Sequence, residues 1–120
     1  MRGVMTAVNH YPSTLSVVTT TIASGQTVSD AINLSGTTVV GISFPAALTS
    51  TSISFQSATA EGGLYQPVMD ESGANVSYIA EQGKYLTIHP AVLTGVRFLK
   101  IVAGTVEASS RSLDLVAKPL

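Results

Sequence analysis

The feature that most constrains this chain is its punctuation. From Leu15 onward, short runs rich in Val, Ile, Thr, Phe and Tyr are cut by Gly, Pro, Ser, Asp and Asn. The cuts recur roughly every 8–12 positions, which is the spacing of turns in a sandwich or barrel. No long segment carries apolar side chains at i, i+3, i+4 intervals, so no long amphipathic helix is expected. Strands this short are stable only when each finds antiparallel partners and one face is buried.

Nine runs stand out: LSVVTTTI (15–22), TVSDAINL (27–34), TTVVGISF (37–44), STSISFQSA (50–58), LYQPVM (64–69), NVSYIA (75–80), KYLTIHP (84–90), VRFLKIVAG (96–104) and SLDLVA (112–117). The expected fold is all-β: a two-sheet antiparallel β-sandwich over residues 14–120, jelly-roll-like, with eight or nine short strands. Residues 1–13 show no period and are expected to form an extended N-terminal arm.

A strand alternates its side chains between two faces, which assigns inward positions. Val28, Asp30, Ile32 and Leu34 fall on one side. Val40, Ile42 and Phe44 share another face, as do Ile53 and Phe55, with Ser52, Ser54 and Gln56 opposite. Asp30 is thereby placed inward, where acids usually occur paired or bonded to amides. Lys100, in line with Val96, Phe98 and Val102, is a candidate partner for it. VRFLKIVAG is the most apolar run and is expected at a sheet centre. Pro45 closes its strand, and Pro67 marks an edge or a bulge, because neither can donate to a ladder. PAVLTG (90–95) is the single candidate helical turn, with Pro90 in its first turn and Gly95 after it. Gly62-Gly63 suits a positive-φ turn, and Asp70–Gly73 the next turn.

Composition narrows the lifestyle. Charged residues make up 11% of the 120 residues, against about 25% in an average soluble domain. Ser and Thr stand in their place, and hydroxyls repel neighbouring molecules far less than charges do. Such a surface suits a subunit that ends up against other subunits rather than a free, concentrated monomer. The net charge of −1 favours no nucleic-acid partner. With no cysteine there is no disulfide, thiolate site or cysteine nucleophile. No stretch approaches the ~20 apolar residues that span a bilayer, and MRGVMTAVNHYPS lacks the apolar core of a secretory signal. No membrane association and synthesis in the cytoplasm are the expectations.

Chemistry is sparse. His10 and His89 lie far apart in sequence; His89, beside Pro90, reads as a rim or capping residue rather than a metal ligand. Asp70 and Glu71 are adjacent, but DESGAN lacks the alternate-position oxygens of a calcium loop. The acids mostly fall in or near turns, and no Trp offers a sugar-stacking floor. No G-x-S-x-G elbow, S-x-x-K pair or phosphate loop is present. An enzyme and a bound cofactor are therefore not expected.

QTVSDAINLSGTTVVGISFP, SISFQSATAEGGLYQPVMDESG and KYLTIHPAVLTGVRFLKIVAG together resemble small virion proteins of tailed bacteriophages. The shared pattern is a strand pair ending G-I-x-x-P, a strand with F-Q-x-S, a Gly-containing turn and a later R-F-x-K-I strand. It spans Gln26 to Lys118 and consists of turns and core positions. The resemblance implies a β-sandwich structural component of the particle, a capsid decoration or cement protein that clamps major capsid protein subunits from outside, commonly as a dimer or trimer. The expected location is then the capsid surface of the virion. The expected contacts are Val4, Met5 and Tyr11 of the arm and Glu61, Gly62, Gly63 and Leu64 at one turn. A neck or tail protein of the same fold shares every one of these features. A carbohydrate-binding appendage is the alternative class, and it would need exposed aromatics among Tyr11, Tyr65, Tyr78 and Tyr85. SATAEGGLYQP also resembles the S-x-D-x-G-x-x-W turn of sugar-related β proteins. Thr59 stands where that Asp would be, and Tyr65 or Gln66 replaces the Trp, so the likeness is to turn geometry.

Overall fold

The computed structural model describes residues 15–120. Nine strands follow in order: β1 Ser16–Ile22, β2 Ile32–Asn33, β3 Thr37–Ser43, β4 Ser52–Ala58, β5 Gln66–Pro67, β6 Ser77–Ile79, β7 Tyr85–Thr87, β8 Phe98–Ala103 and β9 Arg111–Pro119. They form two antiparallel sheets, one ordered β1-β9-β3-β7 and the other β2-β8-β4-β5, with β6 also paired to β4. The pairing is that of one long folded hairpin: β1 with β9, β2 with β8, β3 with β7, and β4 with β5 and β6. Rolling that hairpin brings β3 against β9 and β4 against β8. This is jelly-roll connectivity, with the strand beside β4 split in two. The split is an excursion over 69–75, closed by a bridge between Met69 and Asn75 and by the bond from Asp70 N–H to the Ala74 carbonyl, while Pro67 sits on the sheet edge as its missing N–H requires.

Alternation fills the core. Ile53 and Phe55 of β4, Leu99, Ile101 and Ala103 of β8, and Leu113, Leu115 and Ala117 of β9 are all buried. β8 lies between β2 and β4, the central place its apolar run demands. Phe98, Lys100 and Val102 take its outer face, where Phe98 is nonetheless buried and the Arg97 guanidinium lies 5.2 Å from its ring centre.

Strict alternation fails at two places. In β3 the register against β9 slips between Val39 and Gly41. Val40 is the extra residue of a bulge, which moves inward facing by one position. Val39 and Ile42 are fully buried and Val40 is half-exposed, contrary to the expected Val40–Ile42–Phe44 face. The bulge leaves Gly41 beneath the Tyr85 ring, so close that a Cβ on Gly41 would stand 2.1 Å from the tyrosine oxygen. The second departure is at 27–31, which is not a continuous strand. Its backbone crosses from one sheet to the other. Ser29 N–H donates to Ile101 of β8 (2.9 Å), and Asp30 N–H donates to Thr21 of β1 (3.1 Å). Ser29 is buried, accepts from Ile101 N–H and donates to the Asp30 carbonyl; Asp30 is exposed. The acid expected inside is outside, displaced by a serine that satisfies the crossing backbone.

Two smaller expectations are also corrected. Residues 90–95 form no helix but successive turns, closed by Val92 N–H to His89 (3.0 Å) and Val96 N–H to Leu93 (3.1 Å), with Leu93 fully buried between them. Gly62 and Gly63 turn without positive φ; that conformation occurs at Gly25, Gly36, Gly73 and Gly83. The turn Ala60–Gly63 is closed by a 3.0 Å bond from Gly63 N–H to the Ala60 carbonyl.

The bulge gives a direct check by urea unfolding. Val39→Thr puts a hydroxyl in the core and should cost about 1–3 kcal/mol. Val40→Thr, on the bulge, should stay within about 0.5 kcal/mol. A register without the bulge would reverse the two.

Candidate interaction surface

The strand register sorts the loops to two ends of the sandwich. At one end lie the turns after β1, β3, β6 and β8. At the other, the hairpin end, lie the start of β1, the 34–37 turn, the β4–β5 loop, the 88–97 turns and the end of β9.

The first end is locked by a carboxylate. Glu107 is fully buried. Its Oε1 accepts from Thr49 N–H (2.8 Å) and from Arg111 Nε (3.0 Å), and Oε2 accepts from Ser50 N–H (2.9 Å). Its backbone reaches a third loop, donating to the Gln26 carbonyl and accepting from Gly25 N–H. One residue thereby ties together the β1–β2, β3–β4 and β8–β9 connections. Burial alone would raise the pKa of this acid, but the bonds from Ser50, Thr49 and Arg111 outweigh it and hold the carboxyl at about 2. Sequence reasoning passed over Glu107. Its single signal was Arg111 four positions on, a spacing that joins side chains on a helix and carries no expectation in a loop.

The hairpin end carries four of the expected contacts. Val4, Met5 and Tyr11 lie outside the described residues. Glu61, Gly62, Gly63 and Leu64 are all exposed at the tip of the β4–β5 loop, and Leu64 is 79% exposed. Residues 1–14 join the fold at Leu15, at this same end. Six of the nine exposed large apolar side chains among the described residues belong to this end or its flank: Leu15, Val17, Leu64, Met69, Val92 and Leu120. Met69, Asp70 and Val92 recur around three adjoining clefts of about 330, 440 and 210 Å³ on the flank. The Asp70 carboxylate there is occupied with its own turn. It accepts from the Ser72 hydroxyl and from the Ser72 and Ala74 amides, and those bonds lower its pKa.

The residues weighed for chemistry are spoken for. Lys100 does not meet Asp30; its Nζ lies 4.3 Å from the Tyr65 ring centre. The Tyr65 hydroxyl donates to the Glu61 carbonyl (3.3 Å). Tyr78 points inward, edge-on to Phe55 at 6.1 Å, and burial raises its hydroxyl pKa. Tyr85 lies over Gly41, and Tyr11 is outside the described residues. His89 Nδ1 accepts from Ala91 N–H (3.1 Å), the capping role expected of it. Among the described residues no three His, Cys, Asp or Glu side chains gather as a metal site would require. No protein-family model, curated protein or solved structure matches the chain.

Glu107 sets an acid limit. Its folded pKa of about 2 lies below the ordinary 4.5, so its contribution is present above pH ~4.5 and is lost as pH falls toward 2, about 3 kcal/mol in all. Unfolding followed by circular dichroism from pH 7 to 2 should show that loss. Glu107→Gln should flatten it and lower neutral-pH stability by about 2–4 kcal/mol, because Arg111 is left without its counter-charge.

Proposed function

We propose that this chain is a non-enzymatic structural subunit of a tailed-bacteriophage particle: a decoration or cement protein that sits on the head across neighbouring major capsid protein subunits. The observation that carries the reading is the gathering of exposed apolar side chains at the hairpin end, on a chain otherwise poor in charge. Apolar surface collected at one end of a rigid sandwich marks a protein-contact face. Leu64 at the loop tip, Leu15 at the junction with the arm and Leu120 at the end of β9 give that face three separate projections. The jelly roll itself is neutral evidence, since both capsid and lectin domains use it.

The mechanism is additive contact. Internal pressure pulls capsid subunits apart across their junctions. A subunit bridging a junction resists over its whole footprint, and many copies acting together make release slow. Arm and loop tip, anchored on one rigid body, can engage two neighbouring capsid subunits at once.

A reconstruction of the particle that contains this chain tests the reading. Copies distributed over the shell support it; a ring at the portal would instead select a neck or tail protein of the same fold. Add-back to undecorated capsids tests the surface. Deleting residues 1–12, or replacing Leu64 with Asp, should each weaken binding roughly tenfold or more, and full-strength binding by both variants would sink the assignment.

A further inference from the structure

The most exposed large apolar side chain of the described residues is not at the hairpin end. Ile79 of β6 is 81% exposed, and Tyr85 of β7 is 54% exposed. β6 and β7 are edge strands of opposite sheets, β6 paired only to β4 and β7 only to β3. The two side chains therefore flank the open side of the sandwich. Between them lies a cleft of about 250 Å³ lined by Phe44, Ile79, Glu81, Lys84, Tyr85 and Leu86. The floor is apolar, and the only charges are one acid and one base. Glu81 and Lys84 form an ion pair of 3.7 Å across the tight turn that joins the two edges, with both side chains more than 60% exposed.

The charge pattern says what covers this face. A basic or an acidic partner would gain nothing from a patch whose two charges cancel. A second copy would gain from both. A two-fold contact places residue i against j and j against i, so two such ion pairs lie antiparallel across the axis. Each Glu81 then has two lysines beside it, and each Lys84 two glutamates. An exposed pair of this kind adds little energy by itself; the apolar surface of Ile79 and Tyr85 supplies the drive, and the four charges fix the pairing. We infer that the β6–β7 flank is the face of a two-fold homodimer, with Ile79 and Tyr85 at its centre and Glu81 meeting Lys84 of the second copy. This face is separate from the hairpin end, and the inference holds or fails independently of the capsid reading.

Sedimentation equilibrium on the full chain tests it. The wild-type protein should be dimeric, and Ile79→Lys should weaken the dimer roughly tenfold or more while leaving the circular dichroism spectrum of the folded chain unchanged. Glu81→Lys alone and Lys84→Glu alone should each weaken it too, because each puts four like charges on the axis. Mixing these two single variants should restore dimers as heterodimers, since every cross-axis contact is then attractive. An intramolecular role for the ion pair cannot produce that rescue. A wild-type chain that stays monomeric at millimolar concentration overturns the inference. So does a dimer indifferent to Ile79→Lys, or a mixture that stays monomeric.

Discussion

The fold depends on one buried negative charge. A jelly roll leaves long connections at each end, and loops that leave a sheet carry backbone amides no strand satisfies. At one end of this sandwich those amides are gathered onto the Glu107 carboxylate: Thr49 and Ser50 from one loop, with Arg111 from the start of β9. A lone ionised acid in the interior would carry a large desolvation penalty. Three charge-assisted bonds, one of them from a partly buried counter-ion, reverse its sign, and the acid becomes a better acceptor than any carbonyl could be. Because Glu107 also bonds the Gly25–Gln26 backbone, the position of three loops is set by a single residue.

Much of this architecture was legible because strand sequences report their two faces. The nine runs correspond to nine strands, and the inward positions of β4, β8 and β9 alternate as the sequence implies, since no extra residue interrupts any of the three. Legibility stopped where the backbone stops being a regular strand. One bulged residue at Val40 transfers the buried set from Val40 to Val39, because the period is two and any odd insertion inverts it. Ser29 and Asp30 exchange places for a related reason. Their segment bonds to β8 on one side and β1 on the other, so neither sheet's pleat governs both residues. Nothing in TVSDAINL distinguishes a crossing from a strand, since its partners are 72 and 9 positions away (Ile101 and Thr21).

The candidate contact surface was legible in a different measure. Glu61 to Leu64 could be placed at a tip because glycine pairs interrupt strands, although Gly62 and Gly63 turn with ordinary φ angles. Met69 and Val92 were not singled out: one lies in a run read as strand, the other in a run read as a helical turn, and both readings supply an apolar residue with a core to enter. Their exposure comes from the split beside β4, which pushes 69–75 off the sheet edge, and from the two tight turns over 89–96, which bury Leu93 and leave Val92 outside. Glu107 was invisible for the opposite reason, since an acid among Thr, Val, Ala and Ser in a loop looks like solvent-facing sequence.

The hydroxyl-rich composition also takes on a second meaning. Ser and Thr do supply much of the outer face of the first sheet, where Thr19 bonds Asp114 and Thr21 meets Ser112 across the β1–β9 pair. But Thr20, Ser29, Thr38 and Ser50 are buried, and all four complete backbone bonds at places where the ladder breaks. Ser29 serves the sheet crossing, Thr20 the Asp30 carbonyl, Thr38 the Pro90 carbonyl, and Ser50 the Thr105 carbonyl beside Glu107. A hydroxyl can both donate and accept and, once bonded, costs far less to bury than a charge does. A charged residue in its place would need a set of partners like that around Glu107. A small sandwich with many strand breaks has room for one such set, so hydroxyls do the remaining repairs. The same choice lowers the charge of the outer faces, so the few apolar side chains left exposed, at the hairpin end and on the β6–β7 flank, stand in surroundings that repel a neighbouring molecule only weakly.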